Sequence, residues 1–587
     1  MSYESDTQND WGSRKIFLAA MLSQTLNVNT IVTMPQKALL YGAAGHIILF
    51  AFIYIFIGIP LLYMEYVTGQ FTGRNCWEVW KARPFLSHFA YVQIFWQLLV
   101  IIFSHSYSAF VFHYFIISFD EPIPYYACGD WTNKDCNILF YNYTIHQDCL
   151  TMKNRLPYCS QLYKTFPEYQ YWRYKLLRLN RAEFHLPWRL SLASAIICVF
   201  LFLSCFRRIQ SLKWVLGFCT ICIVCFRILF LIGSMLQKGI IAKFQEALDI
   251  DFTLFFNHVE FTTCVVHIIF SLNVGSGISF NVSSRSSFRS PCYSNIVIVV
   301  VITGAISILG VNSDALMLCP YCYKFGVHPA AVVKYNMLFI FEMIPRFLYV
   351  YESRSFWLIL CFILIAMCFF STNCIIICSF IDILGTKYTS VAKYPGLMTM
   401  LFVIILFIAT LPLLGNKSIY LILALQRSLN FIIIFSVLVE CLVFLIYYGF
   451  DRFSEDVHFM LGVQPKLFVK LSWIVSIIVL PYVFCIELYA IYIDRNSSVG
   501  KTISWWLLMF IMLLTILVTI IRILKAMYKK KLNEEIGLDQ SWGPKSEVLK
   551  RSRAMFTTHA MTKEYIYRQY HLQAGILRRQ KNCNMRS

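Results

Sequence analysis

Two polar runs interrupt sequence that is otherwise apolar. In the first, Ser23-Gln-Thr-Leu-Asn-Val-Asn-Thr30 follows Ile16-Phe-Leu-Ala-Ala-Met-Leu22 and precedes Pro35. In the second, Ser271-Leu-Asn-Val-Gly-Ser-Gly277 follows His267-Ile-Ile-Phe270. Hydroxyls and carboxamides at bilayer depth are costly unless they face protein or a water-filled cavity. A helix interrupted there exposes amide and carbonyl ends that can hold ions and small charged solutes. The chemistry on offer is reversible binding. No nucleophile–base constellation or Gly-rich phosphate loop accompanies it, so no enzymatic activity is expected. Small polar residues packing helix on helix would explain either run alone. Two interrupted spans at corresponding places in two halves point instead to a solute site between inverted repeats.

The elements that must position these runs are membrane helices. Of the 587 residues, 58% are hydrophobic and 14% charged, and no soluble core absorbs that much apolar sequence. About twelve stretches reach the ~20 apolar residues of a crossing. They lie near 13–40, 43–67, 89–119, 187–205, 214–236, 255–282, 295–311, 356–384, 395–414, 429–450, 469–491 and 505–524. The net charge of +20 sits in short loops and the C-terminal tail, a pattern of cytoplasmic retention and not of nucleic-acid binding. The N-terminus lacks the basic and small-residue signals of a cleaved leader.

These features divide the chain into a cytoplasmic tail (1–12), a twelve-helix domain (13–524) and a basic cytoplasmic tail (525–587) able to touch anionic lipid. Residues 120–186 form a large extracellular loop carrying Cys128, Cys136, Cys149, Cys159 and the glycosylation acceptor Asn142-Tyr-Thr144. Four cysteines allow three connectivities; Cys128–Cys136, the closest pair, is preferred. Segment 7 reads as short, with Cys319-Pro-Tyr-Cys322 in the loop after it. His105, His113 and His267 could form a proton path, although histidines hydrogen-bonded inside the bundle are the simpler account. Ser371-Thr-Asn373 adds further polar groups at mid-depth in segment 8.

The chain resembles the neurotransmitter–sodium symporter family across nearly all twelve segments. Trp11, Pro35, Gly58-Ile-Pro60, Met64-Glu65, Gly69-Gln70 and Cys76-Trp77 fall at that family's spacing. Cys128…Trp131…Cys136 resembles its outer-loop disulfide motif, one residue shorter, and Phe270-Ser-Leu…Gly275-x-Gly277 its broken sixth helix. Glu440, Tyr448-Gly-x-Asp-Arg-Phe453 and Gly462…Pro465 resemble the end of helix 10 and the following loop. The resemblance implies an all-α polytopic membrane protein. Its twelve helices would form two inverted five-helix repeats with broken helices 1 and 6, plus two C-terminal helices. It also implies plasma-membrane, sodium-driven uptake of an amino acid or amine by alternating access.

Carried over position by position, the resemblance implies a first sodium site at Thr25, Thr30, Ser271 and Thr303, where Thr replaces two Asn ligands. A second site falls on Ser23, Leu26, Ser371 and Thr372. The cargo would meet Asn27, Ser104, Phe270, Asn273 and Ser276, with Asn27 where amine carriers have Asp and amino-acid carriers Gly. Glu65 would support the unwound backbone of helix 6. The outer gate pair is replaced together by Thr33 and Ala424, and the inner-gate Arg by Gln8. Phe50 and His267 replace a Tyr and a Gln of the chloride site, which argues against chloride dependence. A transport-incompetent relative acting as a solute sensor or interaction protein is the alternative.

Overall fold

Five crossings are an odd number, so a second set of five must run through the bilayer in the opposite sense. The sequence places the same interruption at the start of each set. The computed structural model describes residues 11–134, 136, 166–179, 183–248, 257–326, 329, 339–494, 499–539 and 541–556. It is an all-α polytopic membrane fold, with no strand among the described residues. Among the described residues, ten helices are long and apolar enough to cross a bilayer. Within these spans lie α2 (Ala43–Thr72), α3 (Ala90–Ile117), α4 (Trp188–Cys205), α5 (Ile209–Met235) and α7 (Cys292–Phe325). The others are α8 (Arg354–Lys387), α9 (Pro395–Leu414), α10 (Ser418–Tyr447), α11 (Leu467–Asp494) and α12 (Val499–Tyr528).

Two interrupted stretches add to these, the first of them a bent pair able to make one further crossing. In the first, α1a (Arg14–Thr25) and α1b (Asn29–Leu40) meet at 57°. In the sixth, α6a (His258–Leu272) and α6b (Ile278–Ser283) are separated by residues 273–277. Side chains and glycines explain both interruptions. The Asn27 Oδ1 accepts from the amides of Asn29 (3.0 Å) and Thr30 (3.3 Å), capping α1b where an α1a carbonyl would otherwise continue the helix. In α6, Asn273, Gly275 and Gly277 all have positive φ (55°, 82° and 75°). Asn tolerates that region and Gly adopts it freely. Gly275 is required twice over, because a Cβ there would lie 2.4 Å from Val437 Cγ2.

Around this centre α3 packs along α8 and α10, α1a lies against α5 and α8, and α6b lies on α2. The Cys128–Cys136 disulfide is present, with the Cα atoms 6.1 Å apart. Asn142, Cys149, Cys159 and Gln8 lie outside the described residues.

Several expected boundaries are corrected. The seventh span does not stop near 311; α7 continues to Phe325, so Cys319 and Cys322 sit inside a helix as free, buried thiols. The polar Asn312-Ser-Asp314 breaks the hydropathy but not the helix, because Asp314 pairs with Arg227 of α5 at 2.9 Å, both side chains being buried. The tenth span begins at Ser418, well before 429, because its polar Gln426 and Asn430 turn inward onto a cavity. Beyond α12 the chain folds back: Trp542 packs on Phe444 and Tyr448, and Arg553 pairs with Asp456 (2.5 Å) and Glu455 (3.2 Å).

Candidate functional site

Between the broken spans and α3, α8 and α10 lies a cavity with about 100 Å³ reachable by the centre of a water molecule. Its wall combines aromatic residues, Trp96, Phe103, Phe270 and Phe369 among them, with uncharged polar ones. No Asp, Glu, Lys or Arg lines it among the described residues. Of the residues expected to meet a cargo, Asn27, Ser104, Phe270 and Asn273 stand on this wall and Ser276 does not. Ser276 turns into the α6 break instead, donating to Asn273 O (2.6 Å) and accepting from the Ile278 amide (3.1 Å). It is a local cap. The Ser104 Oγ and Tyr107 Oη are buried beside the cavity with no hydrogen-bond partner.

Asn27 ties the two broken spans together. Its Nδ2 donates to Phe270 O (3.0 Å) and Ser271 O (3.1 Å), carbonyls at the end of α6a, and to Gln24 O (3.3 Å) at the end of α1a. With Oδ1 on the α1b amides, one carboxamide satisfies the amide pole of one half-helix and the carbonyl pole of two others. The Asn273 Nδ2 adds a second bond to Gln24 O, at 3.1 Å.

The four residues expected at the first sodium site do meet, through hydrogen bonds among themselves. The Thr30 hydroxyl donates to Thr25 O (2.6 Å) and lies 2.6 Å from the Ser271 hydroxyl, while the Thr25 and Thr303 hydroxyls are 2.7 Å apart. A cation entering there competes with those hydrogen bonds. The expected second site differs in kind. The Ser23 Oγ is fully buried with no partner, and Leu26 is the residue at which α1a ends. Ser371 and Thr372 on α8 each donate to Cys368 O at 3.0 Å, which leaves both hydroxyl lone pairs available to a hard cation.

The scaffold behind the breaks contains residues absent from the sequence-derived set. Gln24 donates to Ser279 Oγ of α6b (2.8 Å) and accepts from Tyr66 of α2 (2.7 Å). Gln93 donates to Gly275 O (3.1 Å) and Ser436 Oγ (3.3 Å), also reaches Glu440, and accepts from Trp80 (2.6 Å). A carboxamide deep in an apolar segment was the available signal for both. Glu65 accepts from the Gly275 amide, the position from which it would support the α6 break. His105 bonds to Ser194 Oγ at 2.9 Å as a packed histidine, His113 is buried within α3, and His267 lies on the cavity wall. At the gate positions Thr33 lines the cavity, while the Ala424 carbonyl receives Ser504 of α12 at 2.7 Å.

At the end of the bundle that holds Trp11, whose indole donates to Val282 O (2.9 Å), Asp382 of α8 pairs with both Arg208 and Arg285. These charges tie the chain before α5 and the chain after α6b to α8.

Two interrupted membrane stretches meeting beside a cavity that no Asp, Glu, Lys or Arg lines among the described residues mark a polytopic membrane protein with a central pocket. Residues 8–530 match the sequence model of the Sodium:neurotransmitter symporter family. The sodium-dependent dopamine transporter of Bos taurus is 24% identical over 487 residues, covering 80% of this chain and 67% of that protein. The sodium- and chloride-dependent glycine transporter 1 of Xenopus laevis is 23% identical over 489 residues, covering 80% and 76%. The chain belongs to the sodium:neurotransmitter symporter family, whose members are sodium-coupled transporters.

Proposed function

We propose that this protein is a sodium-coupled symporter that moves a small neurotransmitter-type solute across the plasma membrane by alternating access, with both termini cytoplasmic. The observation carrying this reading is the pair of interrupted stretches, α1 and α6, whose breaks lie beside one central cavity. Sodium would use the second site, with oxygens from Ser23, Leu26, Ser371 and Thr372. The first site contributes only if Thr25, Thr30, Ser271 and Thr303 exchange their mutual bonds for the ion. Phe50 and His267, at the positions where the family resemblance implies a Tyr and a Gln of the chloride site, argue against chloride dependence. The cargo class to test first is an amino acid or amine, the chemistry named for the matched relatives.

Uptake of a labelled amino-acid and amine panel is measured in cells with and without external sodium, alongside melting of the purified protein in sodium and in potassium. Sodium-dependent uptake, with a higher melting temperature in sodium, is the expected result. A surface-expressed protein that neither melts higher in sodium nor accumulates any member of the panel refutes the proposal. The hydroxyls of the first site, already bonded to each other, favour the second reading of a solute sensor or interaction protein. That reading expects partner capture unaffected by either ion.

A further inference from the structure

The central chamber offers two opposite poles. The Asn29 and Thr30 amides open α1b and attract negative charge, and the Phe270 and Ser271 carbonyls close α6a and attract positive charge. A free amino acid would bring its carboxylate to the first and its ammonium to the second. Both poles are already taken by Asn27, whose oxygen and nitrogen are spent on them.

We infer that Asn27 acts as a built-in head group and that the cavity therefore selects an uncharged, hydrogen-bonding solute with an apolar body. The inference rests on the symport reading for the role of the cavity and departs from it on the cargo, putting a neutral solute in place of an amino acid or amine, both of which are charged at neutral pH. Charge balance supports it, because an unpaired ammonium or carboxylate transferred from water into a wall without Asp, Glu, Lys or Arg loses its hydration uncompensated. The polar groups present suit a neutral partner. Besides Asn27, the carboxamide residues Asn29, Asn273, Gln426 and Asn430 line the wall, and a carboxamide carries both a donor and an acceptor group. The Ser104 and Tyr107 hydroxyls, buried in wall residues and without partners, add two further uncharged polar groups. Trp96 and Phe270, with ring centroids 5.7 Å apart, supply the surface for the apolar body.

The test uses three molecules that share one branched body and differ in charge: neutral 4-methylpentanamide, zwitterionic leucine and cationic 3-methylbutylamine. Binding to the purified full chain is measured for wild type, Asn27→Gly and Asn27→Asp. Wild type is expected to bind the neutral amide at least about tenfold more tightly than either charged molecule. Asn27→Gly frees both poles and gains leucine binding by about tenfold or more; Asn27→Asp keeps the α1b cap, abolishes the donor to α6a, and gains 3-methylbutylamine but not leucine. If Asn27→Gly does not fold, the Asp variant still reads the sign of the charge preference. Wild type that prefers a charged molecule, wild type that fails to bind the amide, or variants that gain neither charged molecule overturn the inference. The sodium arm keeps the two readings apart. Sodium-dependent leucine binding by wild type would sink this inference and leave symport standing. The predicted charge ranking without any sodium effect would do the reverse.

Discussion

The buried pair between Arg227 and Asp314 offers a quantitative test of how the bundle is held together. The two charges are 2.9 Å apart and only 4% and 7% exposed. At an effective dielectric of about 20, that separation corresponds to roughly 6 kcal/mol of attraction, set against a desolvation cost of several kcal/mol for each ion. The net contribution of the pair is therefore small, and the vulnerability lies in breaking one side. Asp314→Asn leaves the guanidinium buried without a counter-charge and is expected to destabilise by about 3–5 kcal/mol. Arg227→Met with Asp314→Leu removes both charges and should recover most of that loss. The site has a functional reach as well. A Cβ on Gly310 would meet Arg227 Nη2 at 2.8 Å and Pro35 Cγ at 3.0 Å, so Gly310 of α7 lies between Arg227 and Pro35 of α1b. The assay is the melting of detergent-purified protein, followed by the loss of its monodisperse size-exclusion peak. Asp314→Asn should melt well below wild type and reach the cell surface poorly, with the double variant close to wild type. A single variant that melts with wild type, or a double variant worse than the single, would refute this account of α5 and α7.

Three further outcomes follow from specific contacts. Gln24→Leu removes the partners of the Tyr66 hydroxyl and Ser279 Oγ; leaving the tyrosine hydroxyl buried and unpaired should cost about 1–3 kcal/mol, read as a lower melting temperature that Tyr66→Phe partly restores. Asp382→Asn releases Arg208 and Arg285 from α8, and should open that end of the bundle; in protein with exposed Cys225 and Cys485 replaced, a permeant maleimide should then label buried Cys76 faster than in the parent. His458 lies beneath Phe556, with ring centroids 5.6 Å apart, and burial, offset in part by Glu455, lowers its pKa below the ordinary imidazole value. The folded form therefore prefers the neutral ring, and its stabilising contribution is full above about pH 6.5 and lost as pH falls from there through the folded value. Protease cleavage of the folded-back tail should accelerate on mild acidification, and His458→Phe should flatten that dependence.

Hydropathy and composition were sufficient to read the membrane class, the approximate number of crossings, the two interruptions and the Cys128–Cys136 pairing, because each is written in local residue type or spacing. The ends of α7 and α10 were not legible in that way. Asp314 reads as a loop residue until Arg227 is seen beside it, and Gln426 and Asn430 read as polar termini until they are seen lining a chamber. Ser276 shows the same limit within the site. Its residue type and position fit a cargo contact, yet its hydroxyl closes the turn that contains it.

By itself the sequence determined that two polar runs would lie at bilayer depth and that no fixed charge would accompany them, since hydropathy is a sum over neighbours in the chain. Only the tertiary structure decided what those polar groups do to one another. Thr30 meets Ser271 and Asn27 meets Phe270 across some 240 residues of chain, with |i−j| of 241 and 243. Hydrogen bonds satisfy whichever donor and acceptor the fold brings within reach. Whether a hydroxyl or carboxamide is spent on the protein or kept for a solute therefore has no signature along the chain.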